Sequence, residues 1–195
     1  MATPASTPPA AIPTLGVLEL SSVARGLLVC DAVLKKAQIR ILRASAVGSG
    51  KFIVILTGGE ADLLEALNEG AAVGGDLLVG QTYIPRIHPQ VVGALARKGR
   101  LEIALDAVGI LESNSLASAI RAADLAAKTT AVQVVELTFD MDLGGKAYFT
   151  LTGELAEILA AVEAAESQLR SDGAFVGREL IPRPHEGMSS IVLGR

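Results

Sequence analysis

The feature that most constrains this chain is that it can be laid over itself. LGVLELSSVARGLLVCDAVLKKA (residues 15–37) aligns with VGILESNSLASAIRAADLAAKTT (108–130). Gly16, Leu18, Glu19, Ser22, Ala24, Asp31 and Lys35 fall on Gly109, Leu111, Glu112, Ser115, Ala117, Asp124 and Lys128. After a slip of two residues, GKFIVILTGGEA (50–61) lies over GKAYFTLTGELA (145–156). After a second slip of two, YIPRIH (83–88) lies over LIPRPH (180–185). Matches in one order with only small insertions mean one fold used twice. The expected organisation is an N-terminal tail over 1–13, a domain over 14–97, a linker over 98–106, a second domain over 107–186 and a C-terminal tail over 187–195. The first tail, rich in proline, is expected to be disordered.

Composition narrows the class. Half of the 195 residues are hydrophobic but only 3% are aromatic, so Ala, Val, Leu, Ile and Gly must fill the core. Side chains this small suit close packing of helices on sheets. A net charge of −4 with no basic stripe argues against nucleic acid as a partner. A single cysteine cannot close an intramolecular disulfide, which fits a reducing compartment. No apolar run has the length of a membrane span. The opening MATPASTPPAAIPT lacks the basic and apolar regions of a secretory signal.

Within each half the pattern reads βαββαβ followed by a short helix. LGVLEL is an apolar strand. SSVARGLLVCDAVLKKA has a Ser cap and apolar residues at helical spacing, including Val23, Leu27 and Leu34. QIRILRAS alternates, with Ile39 and Ile41 on one face and Arg40 and Arg43 towards the other. KFIVILTG is the third strand. EADLLEALNEGAAVG is a helix with acidic residues in its first turn, where the dipole favours them. DLLVGQTYIPRI supplies the fourth strand and HPQVVGALARKG the short helix. The expected class is α+β, two tandem ferredoxin-like units, each a four-stranded, mostly antiparallel sheet with helices on one face.

The glycine-rich stretch AVGSGKFIVILTGG (46–59) poses a test between two chemistries. A phosphate-binding loop needs G-x-x-x-x-G-K-[ST] between a strand and a helix. Here Phe52 follows Gly50-Lys51, Ser45 stands where the first glycine belongs, and the next element is a strand. No helix N-terminus is offered to a phosphate. On its own, the segment reads as an ordinary hairpin turn.

Four motifs, several of them present twice, carry a resemblance. They are Gly-[VI]-Leu-Glu at a strand start, Asp-x-x-x-Lys late in the first helix, Gly-Ser-Gly before a strand, and Ile-Pro-Arg-x-His after the fourth strand. They resemble the BMC domain of bacterial microcompartment shells, over residues 15 to about 187. Two copies in one chain are similar to the tandem shell proteins that form trimers imitating a hexamer. Each half begins at Gly-[VI]-Leu-Glu and ends at Ile-Pro-Arg, the order of the non-permuted type. The resemblance implies a non-catalytic shell tile in the bacterial cytoplasm. Its partners would be further copies of itself, other shell proteins and encapsulated enzymes; it would touch neither membrane nor nucleic acid and need no cofactor. It also implies that the loops between the second and third strands converge on a symmetry axis and line a pore for small metabolites. Gly48, Ser49 and Gly50 would alternate there with Leu143, Gly144 and Gly145. Crowded backbone around one axis explains the glycines.

The resemblance places Lys35 and Lys128 at the edge where tiles meet, with Arg86 and Arg183 as their partners. The plainer reading is that each lysine favours a helix C-terminus. His88 and His185 lack carboxylate or Cys partners at ligand spacing, so no metal site is expected, and hydrogen bonding near the edge is. Cys30 reads as a small buried hydrophobe. Some tandem shell proteins hold an iron–sulfur cluster through a pore-loop cysteine; Ser49 occupies that position here. Asp140 and Asp142 flank the second loop without a His, Lys or nucleophile to make a catalytic set. The alternatives are a ferredoxin-like small-ligand sensor or binding protein, a fold open to many functions, and an electron-transfer tile.

Overall fold

The computed structural model describes residues 13–96, 104–139 and 143–193. Most of the expected tail and linker, together with Asp140 and Asp142, lies outside the described residues. The first half runs β1 (Leu15–Leu20), α1 (Val23–Lys36), β2 (Ile39–Ala46), β3 (Phe52–Gly58), α2 (Glu60–Gly74), β4 (Leu78–Ile84) and α3 (Pro89–Leu95). The second runs β5 (Ala107–Ser113), α4 (Leu116–Thr129), β6 (Gln133–Thr138), β7 (Ala147–Gly153), α5 (Leu155–Ser171), β8 (Phe175–Ile181) and α6 (Met188–Val192). Each half forms its own four-stranded sheet, ordered β2-β3-β1-β4 and β6-β7-β5-β8, with every pairing antiparallel. The segment after residue 186, expected as a tail, contains α6, which follows β8 as α3 follows β4.

Local rules explain the elements and their match. Ser22 and Ser115 cap α1 and α4, each side chain accepting from the backbone N–H three residues on, at 3.3 Å. In both halves the second strand has a register shift at the same place, between Ile41 and Arg43 and between Val134 and Glu136. The bulge at Leu42 is what lets Arg40 and Arg43 share a face, opposite to Ile39 and Ile41. At Gly26, α1 runs so close to β3 that a Cβ would stand 2.3 Å from the Phe52 ring.

Strand alternation then assigns two layers. Leu18, Leu20, Phe52, Val54 and Leu56 pack under α1 and α2 with Val29, Val33, Leu63 and Leu67. Leu15, Val17, Ile53 and Ile55 face the other way and join the core of the second half. The first unit's own helices, α1 and α2, thus cover one face of its sheet, as expected. Its second face is covered as well, by α4 of the other repeat.

This makes equivalent helices unequal. Helix α4 lies between two sheets and buries nine residues, Asp124 among them; α1 buries only Gly26, Val29 and Val33. Leu116 and Ile120 are 3% and 0% exposed, whereas their counterparts Val23 and Leu27 are 38% and 59% exposed. Burial of such side chains is worth roughly 1.5–3 kcal/mol each. The outer face of α1 is thus an unused copy of a surface that the chain itself shows how to cover.

Candidate functional site: paired glycine loops at the junction of the repeats

The two glycine loops meet. Gly48–Gly50 forms a single 3-10 turn in which Ser49 and Gly50 take φ of 61° and 72°. Gly144 and Gly145 take φ of 59° and 81° in the second loop. Two consecutive left-handed residues in each loop explain the glycines, and Ser49 carries the small strain of a side chain there. The Ser49 hydroxyl donates to the Gly144 carbonyl at 2.7 Å. A Cβ on Gly145 would lie 3.1 Å from the Gly48 carbonyl oxygen, so these backbones approach as closely as glycine allows. Leu143 is half-buried and Gly144 exposed.

Directly behind the loops lies a buried charge. Glu19 is 1% exposed, yet every oxygen is engaged. Lys51 Nζ donates to Glu19 Oε1 at 2.9 Å, and the Ser115 hydroxyl donates to Oε2 at 2.8 Å. The backbone N–H of Ala117 points to Oε2 at 3.5 Å, so the carboxylate sits at the N-terminal end of α4, where the helix dipole favours it. Lys51 also donates to the carbonyls of Asn114 and Gly145, at 2.8 and 3.3 Å. One ammonium therefore ties β1, the start of α4 and the second glycine loop together. The counterpart pair in the second repeat is open: Lys146 and Glu112 stand 3.8 Å apart with side chains 53% and 49% exposed.

Further out, the same junction gathers the rim residues. Asp124 accepts the His88 backbone N–H at 2.7 Å and pairs with Lys128 on its own helix. This brings Lys128 of the second repeat beside the Ile-Pro-Arg turn of the first, two residues beyond the exposed Arg86, whose φ is 50°. In the first repeat Lys35 pairs with Asp31 at 2.6 Å, and both are exposed, as is Arg183. The hydrogen bond expected near the edge at His88 is made by its backbone; the Nδ1 of its ring is buried without a partner. His185 Nδ1 accepts from Gly187 N at 3.1 Å. The Val134 N–H donates to the Gln90 side chain at 2.7 Å, and the Arg43 guanidinium lies 4.3 Å from the Phe139 ring centroid. Cys30 is half-buried in α1, and desolvation raises its thiol pKa, which keeps it protonated and unreactive at neutral pH.

Sequence reasoning singled out the loops and the rim residues but missed the Glu19–Lys51–Ser115 constellation. The signal was present, because Glu19, Ser22 and Lys51 all have counterparts in the repeat. Among the described residues no group of three or more His, Cys, Asp or Glu side chains is placed to hold a metal ion. No helix among them is long and apolar enough to cross a membrane.

Two fused ferredoxin-like units, sharing a core and touching through paired glycine loops, define a tandem-domain architecture. The BMC domain family matches this chain twice, over residues 14–87 and 107–184. The chain belongs to that family, and two uninterrupted matches show the non-permuted order. It is 36% identical to the bacterial microcompartment shell protein PduT of Citrobacter freundii, covering 89% of this chain and 94% of the relative. It is 26% identical to the carboxysome assembly protein CcmO of a Synechococcus species, covering 93% of this chain and 69% of that protein. Among solved structures, a microcompartment protein from Desulfitobacterium hafniense superposes with a TM-score of 0.81 at 36% identity, over 92% of this chain and 99% of the other. A fused permuted hexameric shell protein from the RMM microcompartment shares the fold at a TM-score of 0.60 and 21% identity, over 85% of each chain.

Proposed function

We propose that this chain is a structural tile of a bacterial microcompartment shell in the bacterial cytoplasm. Three copies close head to tail into a six-domain ring, with a central opening lined by Gly48–Gly50 and Leu143–Gly145 that passes small metabolites. The observation that carries this reading is the unequal pair α1 and α4. A junction between first and second repeat exists inside the chain, while the α1 face of one repeat and the outward β5 face of the other remain open. These two surfaces differ from each other, so their contact is heterologous, and heterologous contacts close into rings when the rotation permits. Repeating one domain-to-domain step six times takes three chains and brings the glycine loops around one axis. Lys35 and Lys128, with Arg86 and Arg183, would then stand on the outer rim, available to neighbouring tiles and to other shell proteins. The shell context is supported by the family and by the name of the relative from Citrobacter freundii.

The test is mass and assembly. Light scattering should give about 60 kDa, three times the 20.0 kDa chain. Electron microscopy at higher concentration should show flat sheets. A stable monomer at micromolar concentration overturns the ring.

A further inference from the structure

One constellation occurs in this chain in two states. In the covered state, Glu19 and Lys51 grip the N-terminal end of α4 through the Ser115 hydroxyl and the carbonyls of Asn114 and Gly145. In the open state, Glu112 and Lys146 occupy the equivalent positions on β5 and at the start of β7, exposed and loosely paired. Their missing counterparts are also present, at the N-terminal end of α1 and in the first glycine loop. Ser21, Ser22 and Gly50 correspond to Asn114, Ser115 and Gly145 in the repeat. Ser22 caps α1 as Ser115 caps α4, by accepting a backbone N–H, which leaves its hydroxyl proton to donate. Neither helix has an acidic residue in its first turn, so nothing there repels a carboxylate.

We propose that Glu112 and Lys146 are one half of an intermolecular lock whose other half is the α1 N-terminus of a neighbouring copy. Glu112 accepts from the Ser22 hydroxyl of that copy, and Lys146 donates to its Ser21 and Gly50 carbonyls. The occupant is set by continuity with the junction inside the chain, which joins the same elements in the same order. Around the lock, Val23 and Leu27 take the burial that Leu116 and Ile120 already have, and Asp31 becomes placed to accept the His185 backbone N–H, as Asp124 accepts that of His88. The copy is not side chain for side chain. Glu179 stands where Thr82 does on the outward face, so the template transfers the Glu–Lys–Ser set rather than every contact. This inference rests on the ring reading and names the contact that selects the partner surface.

A disulfide tests the geometry. Inside the chain a Cβ on Gly80 would lie 3.1 Å from Ser115 Oγ, within the reach of a disulfide, and 2.9 Å from Glu19 Oε2, whose carboxylate must shift slightly to admit it. In a Cys30→Ala background, Gly80→Cys with Ser115→Cys should therefore oxidise within one chain and serve as the control. Gly177→Cys with Ser22→Cys, the equivalent positions, should oxidise between chains and give covalent dimers and trimers on a non-reducing denaturing gel. If the native mass is three chains and the control oxidises while the second pair does not, the lock is overturned and the ring stands. If the native mass is one chain, the ring falls and the lock with it. In a second arm, Glu112→Ala should weaken association roughly 25-fold or more, read as mass against dilution, because it strands Lys146 at a closing interface. Unchanged dissociation on dilution overturns the lock even where the cross-link forms.

Discussion

Replacing Glu19 with alanine should separate the two repeats energetically. The carboxylate is essentially out of water, with Lys51, the Ser115 hydroxyl and the first turn of α4 around it. Its removal leaves an ammonium with two carbonyls and no counter-charge, and a hydroxyl without its acceptor. Breaking a buried pair from one side costs about 3–5 kcal/mol, and because Lys51 keeps 22% exposure the lower end, about 3 kcal/mol, is expected. For a chain of 195 residues that corresponds to a fall of roughly 6–12 °C in Tm. Glu19→Gln keeps the shape and one acceptor and should fall between wild type and alanine. The assay is urea unfolding followed by circular dichroism, at one fixed chain concentration because association adds to apparent stability. A lowered midpoint with an unchanged slope reads as lost stability. If Glu19→Ala lies within about 0.5 kcal/mol of wild type, the ion pair does not hold the junction and the reasoning fails.

Gly26→Ala should destabilise by about 1–3 kcal/mol, since the added methyl meets the Phe52 ring; an unchanged unfolding midpoint would show that α1 has room to move. Lys35→Ala with Lys128→Ala should leave the mass of the ring intact while sheets disappear from electron micrographs; loss of the ring would relocate these lysines from the rim to a junction. Ser49→Asp should disfavour anionic permeants and Ser49→Lys favour them, measured as flux across a planar bilayer, because three like charges in a narrow channel set a local field. Identical selectivity in wild type and both variants would remove the loop from the permeation route.

Much of the fold was legible because it rests on local rules written twice. The caps at Ser22 and Ser115, the period-two alternation of β1 and β3, and the acidic first turn of α2 need only neighbours along the chain. Strict alternation would put Arg43 on the face of Ile39 and Ile41; only the bulge at Leu42, which no local rule announced, turns it to the side of Arg40. The loops at Gly48–Gly50 and Leu143–Gly145 were readable as glycine turns, and their meeting was readable only through the resemblance. What stayed hidden depends on distant partners. Glu19 sits in LGVLEL, where a carboxylate near the end of an apolar strand looks like a residue reaching solvent. It is buried because Lys51 and Ser115 arrive from elsewhere. Val23 and Leu27 of α1 are as apolar as Leu116 and Ile120 of α4, so these positions do not announce that one helix is enclosed and the other bare. That difference comes from what is packed against them.

Joining the repeats in one chain gives its two kinds of junction different histories. The covered one forms whenever the chain folds, with its partner held at a fixed local concentration, so desolvating Glu19 is settled once, independent of how dilute the protein is. The open one must be found by diffusion, and Glu112 and Lys146 stay hydrated until it is. In the proposed ring, three of the six seams are then present at birth and three are optional. Assembly becomes sensitive to chain concentration at the seams where the charges are still wet.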